Sequence, residues 1–535
     1  MVSTNVNAKG GSVSFDLVEE RWIPVIDHDG GQRTVGLEEV LLAAHQLRRI
    51  VGETPTMTAA LYRVVLALAH RAYGPVSETA WAQLWCPEEL PEGPLRDCFG
   101  RHPDNFDLFH PERPFLQCPA VTSCGLATAA KLVPYLAVGN NATLFDQTTA
   151  RERTRLDPAE AARWLVTLHA YDTGGTKTPY GRERSSERAP CNNFGCVLVE
   201  GATLKDTLLL NMSVYNPTRE EPAPTTCADR PAWEDDPPSP EPERRSPLGW
   251  TDLLTWPSRR ILLSTHEAPQ GTVVDGVIVT PGTRLRGDLP EMELMAAFRR
   301  LPARGNRKAP RPLLPVRLKE RRGVWRHSAE LLLAGDQERQ RPRALDHVAE
   351  RVRAELIPGD AVYTLRVFGQ QLDKNSGAIE CWFEEAVHAP VALLRAESSR
   401  VGSIVGLAVK LADDVGAALR GMERDYCAEF RAESSSNLDL LYWPHLPQPF
   451  GVFLRDVAET LCAEQSETTA LEAWGRDVRS IARGAADQWA YGSPRRNRGL
   501  LVAGKQHASF TGHLEYLIKR FHAETTAFIT VGEAV

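Results

Sequence analysis

No apolar run in the chain approaches the roughly 18 to 20 residues that a membrane-spanning helix needs, which argues against an integral membrane protein. The opening MVSTNVNAKGGSVSF lacks a hydrophobic signal core, so a cytoplasmic protein is expected. Basic excess is absent as well: 62 Lys and Arg stand against 69 Asp and Glu, a net charge of -7. Nothing global marks a nucleic-acid binder, and such a role would have to rest on local basic clusters. Enzyme signatures are missing too, with no G-x-S-x-G elbow, H-E-x-x-H, strand-linked G-x-G-x-x-G or Walker A loop. The nearest approach is Asp172-Thr173-Gly174-Gly175-Thr176-Lys177-Thr178. It puts Thr176 and Tyr171 where a phosphate loop needs glycine, so no nucleotide cofactor is expected.

Ten cysteines are scattered along the chain, a pattern of reduced thiols rather than of a disulfide framework. Five residues separate Cys118 from Cys124 and four separate Cys191 from Cys196, so only the second pair has zinc-knuckle spacing. Buried free thiols are the expected state. A thiol or metal-dependent hydrolase using Cys191, Cys196 and a histidine is the enzymatic alternative. No paired base or orienting carboxylate is visible beside either cysteine to support it.

What is present is an ordinary globular composition, 42% hydrophobic and 24% charged, over 535 residues. That length predicts two or three domains. FDLVEERWIPVIDHDGGQRTVGLEEVL reads as a hairpin around DHDGG leading into a helix. A helix is predicted over Met57–Tyr73, capped by Thr58 and Gly74. An aromatic segment, FDLFHPERPFLQ, follows. Cys191–Asn211 reads as a strand, a glycine turn and a short amphipathic run. Residues 216–247 are rich in Pro, Glu and Asp and predict an exposed, partly extended loop. Further strands are predicted in GTVVDGVIVTPGT.

After Pro390 the apolar period becomes helical. Ile404, Leu407, Leu411, Val415, Leu419 and Met422 share one face. Phe450, Phe453, Leu454, Val457 and Leu461 mark a second helix, and Leu471, Trp474, Val478, Ile481 and Ala485 a third. Leu500, Leu514, Leu517, Ile518 and Phe521 mark a fourth. The expected fold is therefore α+β: a mixed domain with short β-sheets and helices over residues 1–385, then a four-helix bundle over residues 386–535.

Three polar segments stand out. Between Arg299 and Arg326 lie eleven Lys and Arg against one acid, Glu320. Within this run Arg304, Arg307 and Lys308 could reach phosphates, although a charge run also serves simply to solvate a face. YDTGGTKTPYGRERSSERAPCNN combines glycines, which permit close backbone approach, with Lys177, Arg182, Arg184 and Arg188. VFGQQLDKNSGAIECWFEE reads as two strands around the polar tip Asp373-Lys374-Asn375-Ser376-Gly377, for which turn chemistry alone is a sufficient account.

The order of FDLVEERWIPV, PFLQ, NNATLFDQ, VLVEGATLKDTLLLN, VWRHSAELL and RVFG...IECW, ending in a helical bundle, resembles the CasA family over nearly the whole chain. That family is the large subunit of the type I-E CRISPR surveillance complex, Cascade. The resemblance implies a non-catalytic protein that docks on crRNA-bound backbone and small subunits. It inspects double-stranded DNA for a protospacer-adjacent motif (PAM) from the minor-groove side, starts strand separation for the R-loop and offers a landing surface to a nuclease-helicase. By this resemblance Lys374, Asn375 and Ser376 occupy the position of a wedge, and Arg304, Arg307 and Lys308 a basic finger. Gly174, Gly175, Lys177 and Gly181, or nearby Asn192-Asn193, correspond to a glycine loop. Asn141, Leu144, Phe145 and Gln147 lie in a segment that resembles the family's loop for docking on the guide complex. Two departures matter: the wedge tip is longer than in many relatives and carries Lys-Asn, and the zinc-binding cysteine pairs of some relatives have no counterpart. No cofactor and no structural metal are expected.

Overall fold

The computed structural model describes residues 13–136, 154–269, 271–300, 312–316, 323–335, 338–373, 377–395, 398–432, 437–463, 465–492 and 497–533. Its chain divides into two units. The first comprises Met1–Cys196, Glu200–Glu293 and Phe368–Trp382, and the second Val197–Val199, Leu294–Val367 and Phe383–Val535. Residues 386–535, expected as a bundle, thus lie in the second unit together with Leu294–Val367. Among the described residues no helix is long and apolar enough to cross a membrane.

In the first unit, strands Ile23–Asp27 and Gln32–Val35 form the expected hairpin, with Gly30 at φ +83 in its turn, and helix Leu37–Leu42 follows. The central helix, Pro55–Tyr73, is buried at every position from Thr56 to His70. Its N-cap is Thr54 rather than Thr58: Pro55 presets the first helical turn, and the Thr54 hydroxyl accepts from the Met57 N–H at 3.1 Å. Thr58 lies inside the helix and its hydroxyl donates to the Thr54 carbonyl. Gly74 ends the helix as expected. Arg63, fully inside this core, meets Glu293 at 3.1 and 3.2 Å and donates to the Leu253 carbonyl.

The other large element is a long antiparallel pair, Arg259–Ala268 and Gly271–Pro281. GTVVDGVIVTPGT contributes one strand, not several, because Asp275 is absorbed as a bulge between Val274 and Gly276. Capping by Thr203 and Asp206 starts helix Leu204–Asn211, which is buried nearly all round rather than amphipathic.

Residues 216–247 are mostly irregular apart from a 3-10 turn at Pro217–Arg219 and the short strand Arg244–Arg245, and many are exposed, but the segment is clasped at several points. Asp229 accepts from the N–H groups of Thr251 and Asp252, at the start of helix Trp250–Leu254, and from the Tyr215 hydroxyl. Trp233 is buried against Phe106 and Phe115 of the aromatic segment. Glu234 holds Arg71 through two 2.7 Å bonds. These anchors, with the pairing of Arg244–Arg245 to Arg284–Leu285 and the Arg245–Asp252 ion pair, order a stretch whose composition alone predicts solvation.

Val362–Leu372 lies between Ile379–Pro390 and Cys196–Glu200 in a three-stranded sheet, of which Val362–Val367, Phe383–Pro390 and Val197–Val199 belong to the second unit. Also in the second unit, Phe298–Arg300 lies between Leu313–Pro315 and Arg339–Gln340 in another sheet. Four long helices follow: Ser398–Glu429, Pro447–Cys462, Thr468–Gly492 and Asn497–Glu533, with the short Asn437–Tyr442 between the first two. They correspond to the four predicted apolar stripes. Ile404, Val415, Phe450, Leu454, Leu471, Trp474, Val478 and Leu514 are buried, whereas Leu500 is 48% exposed and does not join the core. Trp325, from the VWRHSAELL segment, packs on Phe450 and Trp474. Trp443 presses so closely on Gly416 that a β-carbon there would lie 2.4 Å from its ring.

Candidate nucleic-acid interface

The glycine-containing segment is a β-hairpin. Gly175–Tyr180 pairs with Glu183–Ser186, and Gly181-Arg182 make a two-residue turn with Gly181 at φ +57. Gly174 and Gly175 enter it at φ +84 and +87, a region side chains avoid. Gly174 has a second constraint, since a β-carbon would come within 3.0 Å of the Arg188 nitrogen and the Ser186 carbonyl oxygen. Gly175 and Gly181 face open space. The side chains of Arg182, Arg184 and Arg188 stand on exposed residues.

Lys177 behaves differently from the mobile cation expected. Its ammonium lies 2.8 Å from Asp172 and its side chain is 12% exposed. Burial lowers its proton affinity, with Asp172 opposing. Burial would likewise raise the Asp172 carboxyl, but Arg259 and Lys177 outweigh it and hold that group below the usual carboxylate range. Arg259, ion-paired with Asp172, also donates to the Glu187 carbonyl at 2.6 Å. Lys177 therefore braces the base of the hairpin rather than presenting charge at its tip.

The stretch Val367–Glu385 is a hairpin, as expected, with Val367, Phe368 and Phe383 buried. It closes through Asp373 N–H to the Ala378 carbonyl at 2.8 Å and Gly377 N–H to the Asp373 carbonyl at 3.0 Å, with Gly377 at φ +71. Lys374, Asn375 and Ser376 lie outside the described residues, as do Arg304, Arg307 and Lys308, and Asn141, Leu144, Phe145 and Gln147.

Their anchoring residues are described, and in the first unit they converge. The Gln370 amide donates to the Tyr171 carbonyl at 2.8 Å and to the Asn192 side-chain oxygen. Its own oxygen accepts from the Trp382 indole at 3.1 Å. Asn192 in turn donates to the Asp172 carbonyl at 2.7 Å. The outer half of the Val362–Pro390 hairpin is thereby tied to the base of the glycine hairpin, and Asn192 of the second sequence candidate for the glycine loop is bonded to Asp172, just before the first. Tyr135, just before residues 137–153, makes an edge contact with Trp382 at 6.4 Å and with Trp164 at 5.7 Å. On the basic segment, Phe298–Arg300 pairs antiparallel with Leu313–Pro315, so residues 301–312 connect two paired strands. At the ends of this run Arg299 pairs with Glu330 at 3.0 Å, and Arg326 with Asp413 while lying over the Trp443 ring.

Sequence reasoning did not find Gln370, Asp172 or Arg259. The one available signal was an amide pair, Gln370-Gln371, interrupting an apolar strand.

The model of the family described as CRISPR-associated protein Cse1 matches residues 16–485 of this chain. The chain belongs to the Cse1 family. A relative from Thermus thermophilus, CRISPR-associated protein CasA/Cse1, is 34% identical over 518 residues, covering 89% of this chain and 95% of the relative. The crystal structure of Thermobifida fusca Cse1 is similar with a TM-score of 0.79 at 29% identity, covering 95% of this chain and 98% of that one. A chain in a structure titled CRISPR RNA-guided surveillance complex shares the fold, with a TM-score of 0.70 at 22% identity over 93% of this chain and 99% of its own. The CasA resemblance drawn from the order of short motifs is thus the family itself.

The two thiols that the hydrolase alternative invokes in this Cse1 protein are unsuited to it. Cys191 and Cys196 are buried in the first unit beside Arg63. Burial pushes the Cys191 thiol up to about 12 and that of Cys196 well above its ordinary value, against the opposing pull of Arg63. A thiol held protonated in a core is not a nucleophile.

Proposed function

We propose that this Cse1 protein is the large subunit of a crRNA-guided antiviral surveillance complex, where it reads the PAM of duplex DNA from the minor groove and begins strand separation for R-loop formation. The observation that carries the reading is the tie between the glycine hairpin and the Val362–Pro390 hairpin through Gln370. Reading a groove and parting a duplex require two narrow elements held at a fixed spacing. A minor groove is only about 6 Å wide and admits slender tips, while its donor-acceptor pattern distinguishes little beyond A·T from G·C. Tolerance of several PAM sequences follows from that degeneracy.

In this reading the glycine hairpin approaches the PAM backbone and groove, with Arg182, Arg184 and Arg188 as its cations. Lys374, Asn375 and Ser376 form the wedge, and Arg304, Arg307 and Lys308 contact phosphates. Residues Asn141 to Gln147 dock on the guide complex. Unstacking a base step costs a few kcal/mol and is offset by contacts made in the bent duplex. Guide pairing then carries the remaining sequence discrimination. Backbone and small subunits bearing the crRNA are the stable partners, and a nuclease-helicase is recruited after opening.

The test is binding and opening by the chain, reconstituted with its crRNA-bound partners, on duplexes that differ only in the trinucleotide beside the target. Strong dependence on that trinucleotide, with opening impaired by Lys374→Ala/Asn375→Ala while assembly stays intact, supports the reading. Absence of any dependence leaves an adaptor that does not read DNA.

A further inference from the structure

The bonding of the Gln370 side chain is unusual inside a hairpin arm. An amide offers two N–H donors and an oxygen acceptor, and here both donor contacts go to the glycine-hairpin base while the oxygen accepts from Trp382 on the neighbouring strand. Turn chemistry and strand pairing need none of this. Backbone bonds already close the hairpin tip, through Asp373, Gly377 and Ala378. The relay runs from Trp382 through Gln370 and Asn192 to Asp172, whose carboxylate holds Lys177 and Arg259. Arg259 reaches the Glu187 carbonyl, just past the outer strand of the glycine hairpin, and Gly174 admits no side chain against that same strand end. Every link is a hydrogen bond or ion pair in the first unit, and Asp172 is enclosed on both sides.

We infer that Gln370 is a positioning residue that couples PAM reading to strand opening, by fixing the wedge-bearing hairpin to the glycine hairpin through Tyr171 and Asn192. This rests on the function proposed above. Gln370 does not itself touch DNA in this scheme. It acts by keeping the tip in place when the duplex resists, so that the free energy of PAM binding is delivered to the adjacent base step instead of being dissipated in hinge motion of the hairpin.

The two ends of the amide can be separated. Gln370→Glu keeps an acceptor for the Trp382 indole and removes both donors, whereas Gln370→Met removes all three bonds at similar length. The reconstituted complex carrying each variant is assayed on a fully paired PAM duplex and on one with mismatches across the first base pairs beside the PAM, with strand opening followed by base fluorescence. Removal of a hydrogen-bonded link predicts about tenfold slower opening of the paired duplex for both variants. On the mismatched duplex, where no opening work is needed, wild-type rates are expected. A role confined to folding would not be rescued by the DNA substrate. The inference is overturned if either variant opens paired duplex at the wild-type rate, or if the defect persists on mismatched duplex. Should the wild-type complex itself show no PAM dependence, the parent reading falls and this inference with it. Normal PAM dependence combined with an inert Gln370 defeats the inference alone.

Discussion

His169 sits where a proton is costly. Its Nε2 meets the Leu116 carbonyl at 2.9 Å, Nδ1 has no partner among the described residues, and burial lowers its pKa to about 4, with Arg259 and Arg260 adding to the effect. An unfolded histidine titrates near 6.5. Between those values the unfolded chain binds the extra proton, so stability falls as pH drops from about 6.5 to about 4 and is level outside that window. The contribution is on the order of 3 kcal/mol at most. Melting temperatures measured across pH should show this slope flattened in His169→Gln, while an unchanged profile would assign the titration elsewhere, for instance to His327, which burial also lowers to about 4. Glu293 poses the complementary case. Glu293→Ala leaves Arg63 charged and buried, and a loss of roughly 3 to 5 kcal/mol is expected in chemical denaturation, with a smaller loss for Arg63→Met/Glu293→Leu because no charge is stranded. Residue-level details of this kind were the least legible in the sequence. Thr54 and Thr58 are equally good caps on paper, and only Pro55 decides between them. Lys177 looks like a free cation until Asp172 is found beside it. Leu500 fits a helical stripe yet faces solvent.

Elements were read far better than their anchors. Both hairpins, the helix ending at Gly74 and the four apolar stripes are local patterns, and local patterns survive in sequence. What escapes is the long-range partner: Trp233 under Phe115, or Asn192 under Gln370, depends on residues more than a hundred positions apart. The same distinction predicts how the glycine hairpin responds to substitution. Gly174→Ala meets both the cost of φ +84 and backbone atoms at 3.0 Å, whereas Gly175→Ala meets only the conformational cost. Positive-φ strain alone is worth about 1 to 3 kcal/mol. Amide hydrogen exchange over residues 171–188 should therefore accelerate more in Gly174→Ala than in Gly175→Ala. Equal acceleration would show that the crowding against Ser186 and Arg188 relaxes freely.

For the whole molecule, a net charge of -7 coexists with a local reversal between Arg299 and Arg326. If the basic finger contacts phosphates, Arg307→Ala/Lys308→Ala should weaken duplex binding by the assembled complex and reduce its logarithmic salt slope by about one for each phosphate no longer neutralised. An unaltered slope would leave that run as a solvated face. The division of the chain was not legible in advance, because composition shifts mark ends of segments and not returns. Residues 368–382 go back to a unit otherwise made of residues before 294.

That return has a consequence in time. The hydrogen bond between Asn192 and Gln370 joins residues separated by 178 positions, and Trp382 is made later still. At roughly 5 to 20 residues per second on the ribosome, the base of the glycine hairpin waits about 10 to 40 seconds for its partner strand. A chain released before residue 370 would lack the join between the two hairpins, and one released before residue 382 would lack its Trp382 support. Translation thus sets an order on assembly: only a nascent chain that has been read well past its midpoint can complete the join between the two hairpins.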